Sequence, residues 1–325
     1  MKRTSIILAL FAATTAWAQP QGGFGFGGQQ LSAEQMHYSQ KFSDINYAGD
    51  DKAYHTLDIY LPEKRENEGT GERGNEKYPV VVHIYGSAWF SNSSKGMADL
   101  GTICAALLKA GYAVVTPNHR SSQDAKYPAQ IHDIKAVIRY LRANADKYQL
   151  DTTFVATSGF SSGGHLSSLA AATSGTRQTS VGTEQIDLEG SVGAYTDYSS
   201  RVNVAADWSG PVDLLHMDCG KAMMMNPSPE QVLLGGVTKE DAPDKYRSLS
   251  VATYLDKNDP PIIVFHGTED NVVPFCQGEQ FSVALQDAGV KSEFYPVDGG
   301  GHGFNMYTEE NLDRMVKFFD AARNK

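Results

Sequence analysis

The chain has 325 residues, is 41% hydrophobic and 20% charged, and carries a formal net charge of −10. These proportions supply apolar material for one large domain or two small ones. The acidic balance argues against a nucleic acid or an anionic membrane surface as partner, since both select basic faces. Lys2 and Arg3, the apolar stretch Ile6 to Thr15, and Ala16-Trp17-Ala18 follow one another as the charged start, apolar middle and cleavage site of an export signal. Residues 1–18 are therefore expected to be a signal peptide, and the mature protein to be secreted or periplasmic. The apolar stretch is too short for a membrane span, which takes about 20 residues. Residues 19–41 read as a flexible Gly/Gln-rich leader, with a short helix expected over Ala33 to Gln40.

The remainder, 42–325, reads as a single catalytic domain. Phe42 to Ala48 and Tyr54 to Leu61 read as strands; His55, Leu57, Ile59 and Leu61 alternate with Thr56, Asp58 and Tyr60, which predicts a half-exposed antiparallel pair at a sheet edge. Glu63 to Lys77 is a charged loop. Pro79 to Tyr85 is a continuous apolar run, the pattern of a strand buried on both faces of a parallel sheet. A helix is expected over Gly101 to Ala110, a strand over Ala113 to Thr116, and a long amphipathic helix within Tyr127 to Tyr148. Further buried strands are expected at Val202 to Trp208 and Ile262 to His266. Then come a helix over Phe275 to Ala288, a strand over Ser292 to Val297 and a closing helix over Glu309 to Arg323. Strands alternating with helices imply an α/β fold, a central mostly parallel sheet with helices on both faces. Two polar excursions, near 174–201 and 214–256, interrupt the alternation.

Gly159-Phe160-Ser161-Ser162-Gly163 fits the G-x-S-x-G pattern between a β-prone run and the apolar helical stretch from Leu166. That is the context of a nucleophile elbow, in which the serine sits on a strained turn and glycines two positions either side relieve crowding. An elbow serine needs a base and an acid, and functional groups of open α/β sheets gather at the carboxyl ends of strands. Asp270 follows the strand ending at His266, and His302 lies in a glycine-rich loop after the last strand, giving the chain order Ser, Asp, His. Glu269 and Asp298 are the other acids near these strand ends. Asp270 is preferred because it lies farthest from the strand end and precedes Asn271-Val272-Val273-Pro274. The oxyanion hole calls for the N–H of Ser162 and for donors from the loop after the third strand, Tyr85-Gly86-Ser87-Ala88-Trp89. Ser87 and Ala88 are the candidates there, provided their φ stays negative. Trp89, His165 and Trp208 are candidate substrate contacts, with a packing role as the competing reading for each; His266 reads as structural. This chemistry calls for no cofactor and no metal. The three cysteines, Cys104, Cys219 and Cys276, lack metal-site spacing, and their number leaves open one disulfide with a free thiol or small core residues.

With these residues assembled, the chain resembles the α/β-hydrolase superfamily and within it the bacterial bifunctional feruloyl and acetyl-xylan esterases. The resemblance rests on Leu57-Asp58-Ile59-Tyr60-Leu61-Pro62, Tyr127-Pro128-Ala129-Gln130-Ile131-His132-Asp133, Gly163-Gly164-His165-Leu166, Asp207-Trp208-Ser209-Gly210-Pro211, His266-Gly267-Thr268-Glu269-Asp270 and Gly301-His302-Gly303-Phe304. It implies a serine carboxylesterase with Ser161, Asp270 and His302 as triad, acting on acetyl or feruloyl esters of an acylated plant polysaccharide such as xylan. The chain departs from the family at Tyr85-Gly86-Ser87-Ala88-Trp89, where a His followed by three Gly is usual. Competing readings are an exported prolyl-oligopeptidase-like peptidase, for whose propeller the chain has no spare length, an arylformamidase, and a non-catalytic hydrolase-fold binding protein.

Overall fold

The computed structural model describes residues 36–63, 77–221 and 225–324. The expected signal peptide, most of the leader and the interior of the charged loop lie outside the described residues. An eight-stranded sheet organises the chain. In sequence its strands are β1 (Gln40–Asn46), β2 (Thr56–Leu61), β3 (Tyr78–Ile84), β4 (Ala113–Pro117), β5 (Leu150–Phe160), β8 (Val204–Trp208), β9 (Ile262–Gly267) and β10 (Ser292–Val297). Strands β6 (Gln178–Val181) and β7 (Glu184–Asp187) form a separate hairpin inside the first excursion. The spatial order is β1-β2-β4-β3-β5-β8-β9-β10. The β1–β2 and β2–β4 pairs are antiparallel, and every other pair in this sheet is parallel.

The apolar runs have a physical reason to be continuous. Along β3, Val80, Val82 and Ile84 enter one core cluster while Val81 enters the other; along β9, Ile262 and Val264 divide from Ile263 and Phe265 in the same way. Successive strand residues point to opposite faces, so a sheet covered on both sides needs apolar side chains at every position. One face is covered by α2 (Ala129–Ala143), α3 (Ser162–Ala172) and α6 (Cys276–Asp287), through residues such as Ile134, Leu169 and Phe281. The other is covered by α1 (Ala105–Lys109) and α7 (Glu309–Arg323), through Leu107, Met315 and Phe319. Full burial of such a side chain contributes roughly 1.5–3 kcal/mol. The second excursion holds α4 (Pro229–Leu233) and α5 (Pro243–Leu249).

Three local expectations need correction. Residues 36–39 are not helical and Gln40 opens β1. Ser39 instead extends the sheet by donating its N–H to Leu61 O at 2.9 Å and its hydroxyl to Pro62 O at 2.8 Å. Strand β2 is buried along nearly its whole length rather than half-exposed, because its two faces contribute to the two clusters: Leu57, Ile59 and Leu61 to one, Tyr60 to the other. The helix expected from Gly101 begins as a wider π-helical turn, Leu100–Cys104, before α1. Asp99 enters it at φ +48° with its carboxylate bonded to His83 Nε2 at 3.0 Å, and its carbonyl accepts from both Thr102 and Cys104. Helix α2 lies within the expected stretch Tyr127 to Tyr148 and ends where the Asn144 side chain donates to Tyr140 O at 2.9 Å.

Cys219 and Cys276 form a disulfide with a Cα separation of 6.1 Å, tying the second excursion to the first residue of α6. Cys104 is free and buried. Among the described residues, no helix is long and apolar enough to cross a membrane.

Candidate active site

Parallel strands β5, β9 and β10 end on the same edge of the sheet, and the three residues expected to act together follow those ends. Ser161 joins β5 to α3 with φ +56° and ψ −124°. A non-glycine residue in this region is strained by roughly 1–3 kcal/mol and persists where its surroundings fix it. Here its N–H donates to Trp208 O on β8 at 2.8 Å, and its carbonyl accepts from His165 N at 3.0 Å. The flanking glycines are steric requirements. A Cβ on Gly159 would lie 2.2 Å from Gly163 O, and one on Gly163 would lie 2.0 Å from Ile84 O.

His302 Nε2 lies 2.9 Å from Ser161 Oγ, and His302 Nδ1 lies 2.8 Å from Asp270 Oδ2. The other carboxylate oxygen of Asp270 accepts the N–H groups of Val272 and Val273, each at 2.9 Å. Burial on its own would raise the Asp270 carboxyl. The hydrogen bond and charge of His302, the charge of His266 and the Val272 N–H outweigh it and hold the group below its ordinary value, so it is ionised. Of the three acids near these strand ends, Asp270 is the one hydrogen-bonded to His302. His266 is fully buried and bonds Val273 O at 2.9 Å through Nε2; burial lowers its pKa, and the charge of Asp270 opposes that shift. The Phe160 ring packs 4.7 Å from the His302 ring. Such an array lets an imidazole take a hydroxyl proton while a carboxylate holds its far N–H.

The loop after β3 behaves differently from expectation. Gly86 lies against the elbow, where a Cβ would be 2.7 Å from Phe160 O and 2.8 Å from Ser161 Cβ. The N–H of Ser87 is not a free donor, because it is bonded to Ser162 Oγ at 2.9 Å. Ala88 does not keep a negative φ: Ala88 and Trp89 have φ of +51° and +59°. Among the described residues the N–H groups of Ala88 and Ser162 have no hydrogen-bond partner, and Ser162 opens α3, where backbone N–H groups favour negative charge.

The three candidate substrate contacts are core residues. Trp89 is 2% exposed and meets His165 edge-on at 5.2 Å; Trp208 is 0% exposed and stacks on Phe265 at 4.0 Å. His165 is 0% exposed, bonds Leu249 O at 2.8 Å, and is pushed down to about 4 by burial. Trp89 packs in the core cluster on the α3 face of the sheet, against His165, and Trp208 in the cluster on the opposite face. The sequence reading missed the hydroxyl of Ser162 and the carboxylate of Asp207. Asp207 stands within a quoted motif, but nothing local marks it as buried beside α3. Among the described residues, no group of three or more His, Cys, Asp or Glu side chains is placed to hold a metal ion.

The chain is 43% identical to a truncated carbohydrate esterase from gut microbiota, with a TM-score of 0.83 over 89% of this chain and 98% of that one. It is 47% identical to the bifunctional GH43-CE protein of Bacteroides eggerthii, with a TM-score of 0.80 over 87% of this chain and 35% of that one. Against esterase LipQ of Mycobacterium tuberculosis it is 29% identical over 83% of its length, while spanning 58% of that protein. The BD-FAE family model matches residues 57–285, a stretch that holds Ser161 and Asp270 and stops short of His302. The chain belongs to the BD-FAE family of α/β-hydrolase esterases.

Proposed function

We propose that the protein is an exported serine carboxylesterase that removes acyl groups, acetyl or feruloyl, from plant cell-wall polysaccharide such as xylan. The observation that carries the reading is the continuous hydrogen-bonded line Ser161 Oγ–His302–Asp270 at the ends of three parallel strands. Ser161 Oγ attacks the ester carbonyl carbon as His302 Nε2 takes its proton, and Asp270 stabilises the imidazolium. The carbonyl oxygen becomes an oxyanion held by the N–H groups of Ser162 and Ala88. As the intermediate collapses, the alcohol oxygen leaves with the proton from His302 and the acyl group stays on Ser161. Water then attacks the acyl-enzyme by the same route, releasing the acid and restoring the serine. The carbohydrate esterase character of the two similar solved structures supports a sugar as the alcohol. The export signal read in residues 1–18 supports action outside the cytoplasm, on a polymer that does not enter it.

Ser161→Ala should abolish turnover of p-nitrophenyl acetate and reaction with a fluorophosphonate probe while leaving the fold intact. Undiminished turnover would remove the esterase assignment. Release of acetate from acetylated xylan and of ferulate from methyl ferulate by the wild type then identifies the acyl group.

A further inference from the structure

Ser162 follows Ser161 in the first turn of α3, and its side chain reaches away from that helix. Its hydroxyl oxygen accepts the backbone N–H of Ser87, 75 positions earlier in the chain, at 2.9 Å, and the residue is 1% exposed. Ser87 precedes Ala88 and Trp89, two non-glycine residues of this loop whose φ is positive. Such a conformation persists only where neighbouring contacts fix it. On the far side, the Trp89 indole is buried against His165, its carbonyl accepts the Ser122 N–H at 2.7 Å, and Phe90 N–H closes onto Ser87 O at 2.9 Å. On the near side, Gly86 is packed against Phe160 and Ser161. Between these anchors, the Ser87 peptide is held by Ser162. Among the described residues, no other side chain hydrogen-bonds a backbone group of residues 85–89.

We infer that the Ser162 hydroxyl is a latch on the oxyanion loop, holding the Ser87 peptide so that the Ala88 N–H is presented beside the N–H of Ser162. The inference rests on the esterase reading and deepens it. Glycine adopts left-handed backbone at little cost; Ala88 and Trp89 do not, so a loop that holds them there needs contacts from outside. Ser162 thus has two separable parts: its backbone N–H is a donor to the oxyanion, and its side chain is a positioning group for the second donor.

Ser162→Ala removes the latch and keeps the backbone N–H. Its kcat on p-nitrophenyl acetate should fall on the order of tenfold, short of the roughly hundredfold expected when an oxyanion donor is lost outright. KM should stay within about twofold, because the oxyanion forms only after binding. The inhibition constant of a boronic acid, which forms a tetrahedral adduct on Ser161, should rise by the same factor as kcat/KM falls. Ser162→Thr, which keeps the acceptor, should recover most of kcat. Should Ser162→Ala fail to fold, Ser162→Cys, whose sulfur is a weak acceptor, carries the same expectation. A folded Ser162→Ala enzyme with wild-type kcat and boronate affinity, or one in which KM alone rises, overturns the latch. The Ser161→Ala control separates the two readings. If that variant is inactive and Ser162→Ala is normal, only the latch fails; if it retains turnover, the esterase reading fails first.

Discussion

The Ser168 hydroxyl donates to Oδ2 of Asp207 at 2.6 Å, joining the elbow helix to the strand beside it through a buried carboxylate. Oδ1 of the same carboxylate accepts the Gly210 N–H at 2.7 Å. Neither partner carries a charge. Burial, only partly offset by these two bonds, pushes the Asp207 carboxyl up to about 6. Between roughly pH 4 and that value, the folded protein keeps a proton that the unfolded chain releases. The stability contributed by this group is therefore full below the unfolded pKa and is lost as pH rises through the folded one.

Asp207→Asn should flatten this part of the pH profile. An amide still accepts from Gly210 and can turn its NH₂ toward Ser168, without a charge to bury. At pH 7 the variant is expected to be more stable than the wild type by up to roughly 3 kcal/mol, the cost of ionising the buried acid. Urea unfolding of both proteins at pH 4, 5, 6 and 7 reads the difference. A variant less stable at pH 7 by the same amount would mean that the ionised carboxylate is favoured where it sits.

Asp270→Asn should act on chemistry far more than on folding. Its remaining oxygen still accepts the Val272 and Val273 N–H groups, so the variant should fold, with its melting temperature lowered only by what the ionised carboxylate contributes. The amide can no longer orient and stabilise a protonated His302, and kcat should fall by about 10³–10⁴-fold. The lowered pKa of Asp270 also adds stability that is present above the ordinary carboxylate range and lost as pH falls through the lowered value. The variant should lack that part of the acid limb. Pre-steady-state acylation with p-nitrophenyl acetate measures the first effect, and acid unfolding the second.

The Cys219–Cys276 bridge closes a loop of 57 residues containing most of the second excursion. Constraining a loop of that length in the unfolded chain contributes about 4 kcal/mol. The double Ser variant, or the wild type in reductant, should unfold at correspondingly lower temperature, and reductant should leave the double variant unchanged. Gln277 holds the same excursion independently, accepting the Val212 and Asp213 N–H groups and donating to Asp213 O and His216 O. The reduced enzyme should therefore keep its activity below its melting point. Parallel loss of activity and disulfide at 25 °C would place the bridge in the site itself.

Much of this molecule was legible without coordinates, and the reason is local. Uninterrupted apolar runs at Pro79 to Tyr85 and Ile262 to His266 require a sheet covered on both faces, because alternation would have left one side polar. The glycines at 159 and 163 flank a serine that needs a crowded turn, and Asp270 and His302 follow strands whose parallel direction brings their ends to one edge. Each of these is a property of a few adjacent residues or of strand order.

What the sequence did not decide depends on partners remote in the chain. Trp89, His165 and Trp208 have the chemistry of ligand contacts, yet all three are buried, and burial is set by everything around them. Ser87 has an ordinary backbone N–H whose availability ended with an acceptor 75 positions away. Asp207 looks like any strand-end acid until two neutral donors and a closed core fix its charge. Side-chain identity and spacing determined the strands, the elbow and the order Ser, Asp, His. Only the tertiary structure decided which polar atoms are already paired and which stay free to meet a substrate, because pairing and desolvation are properties of contacts rather than of residues.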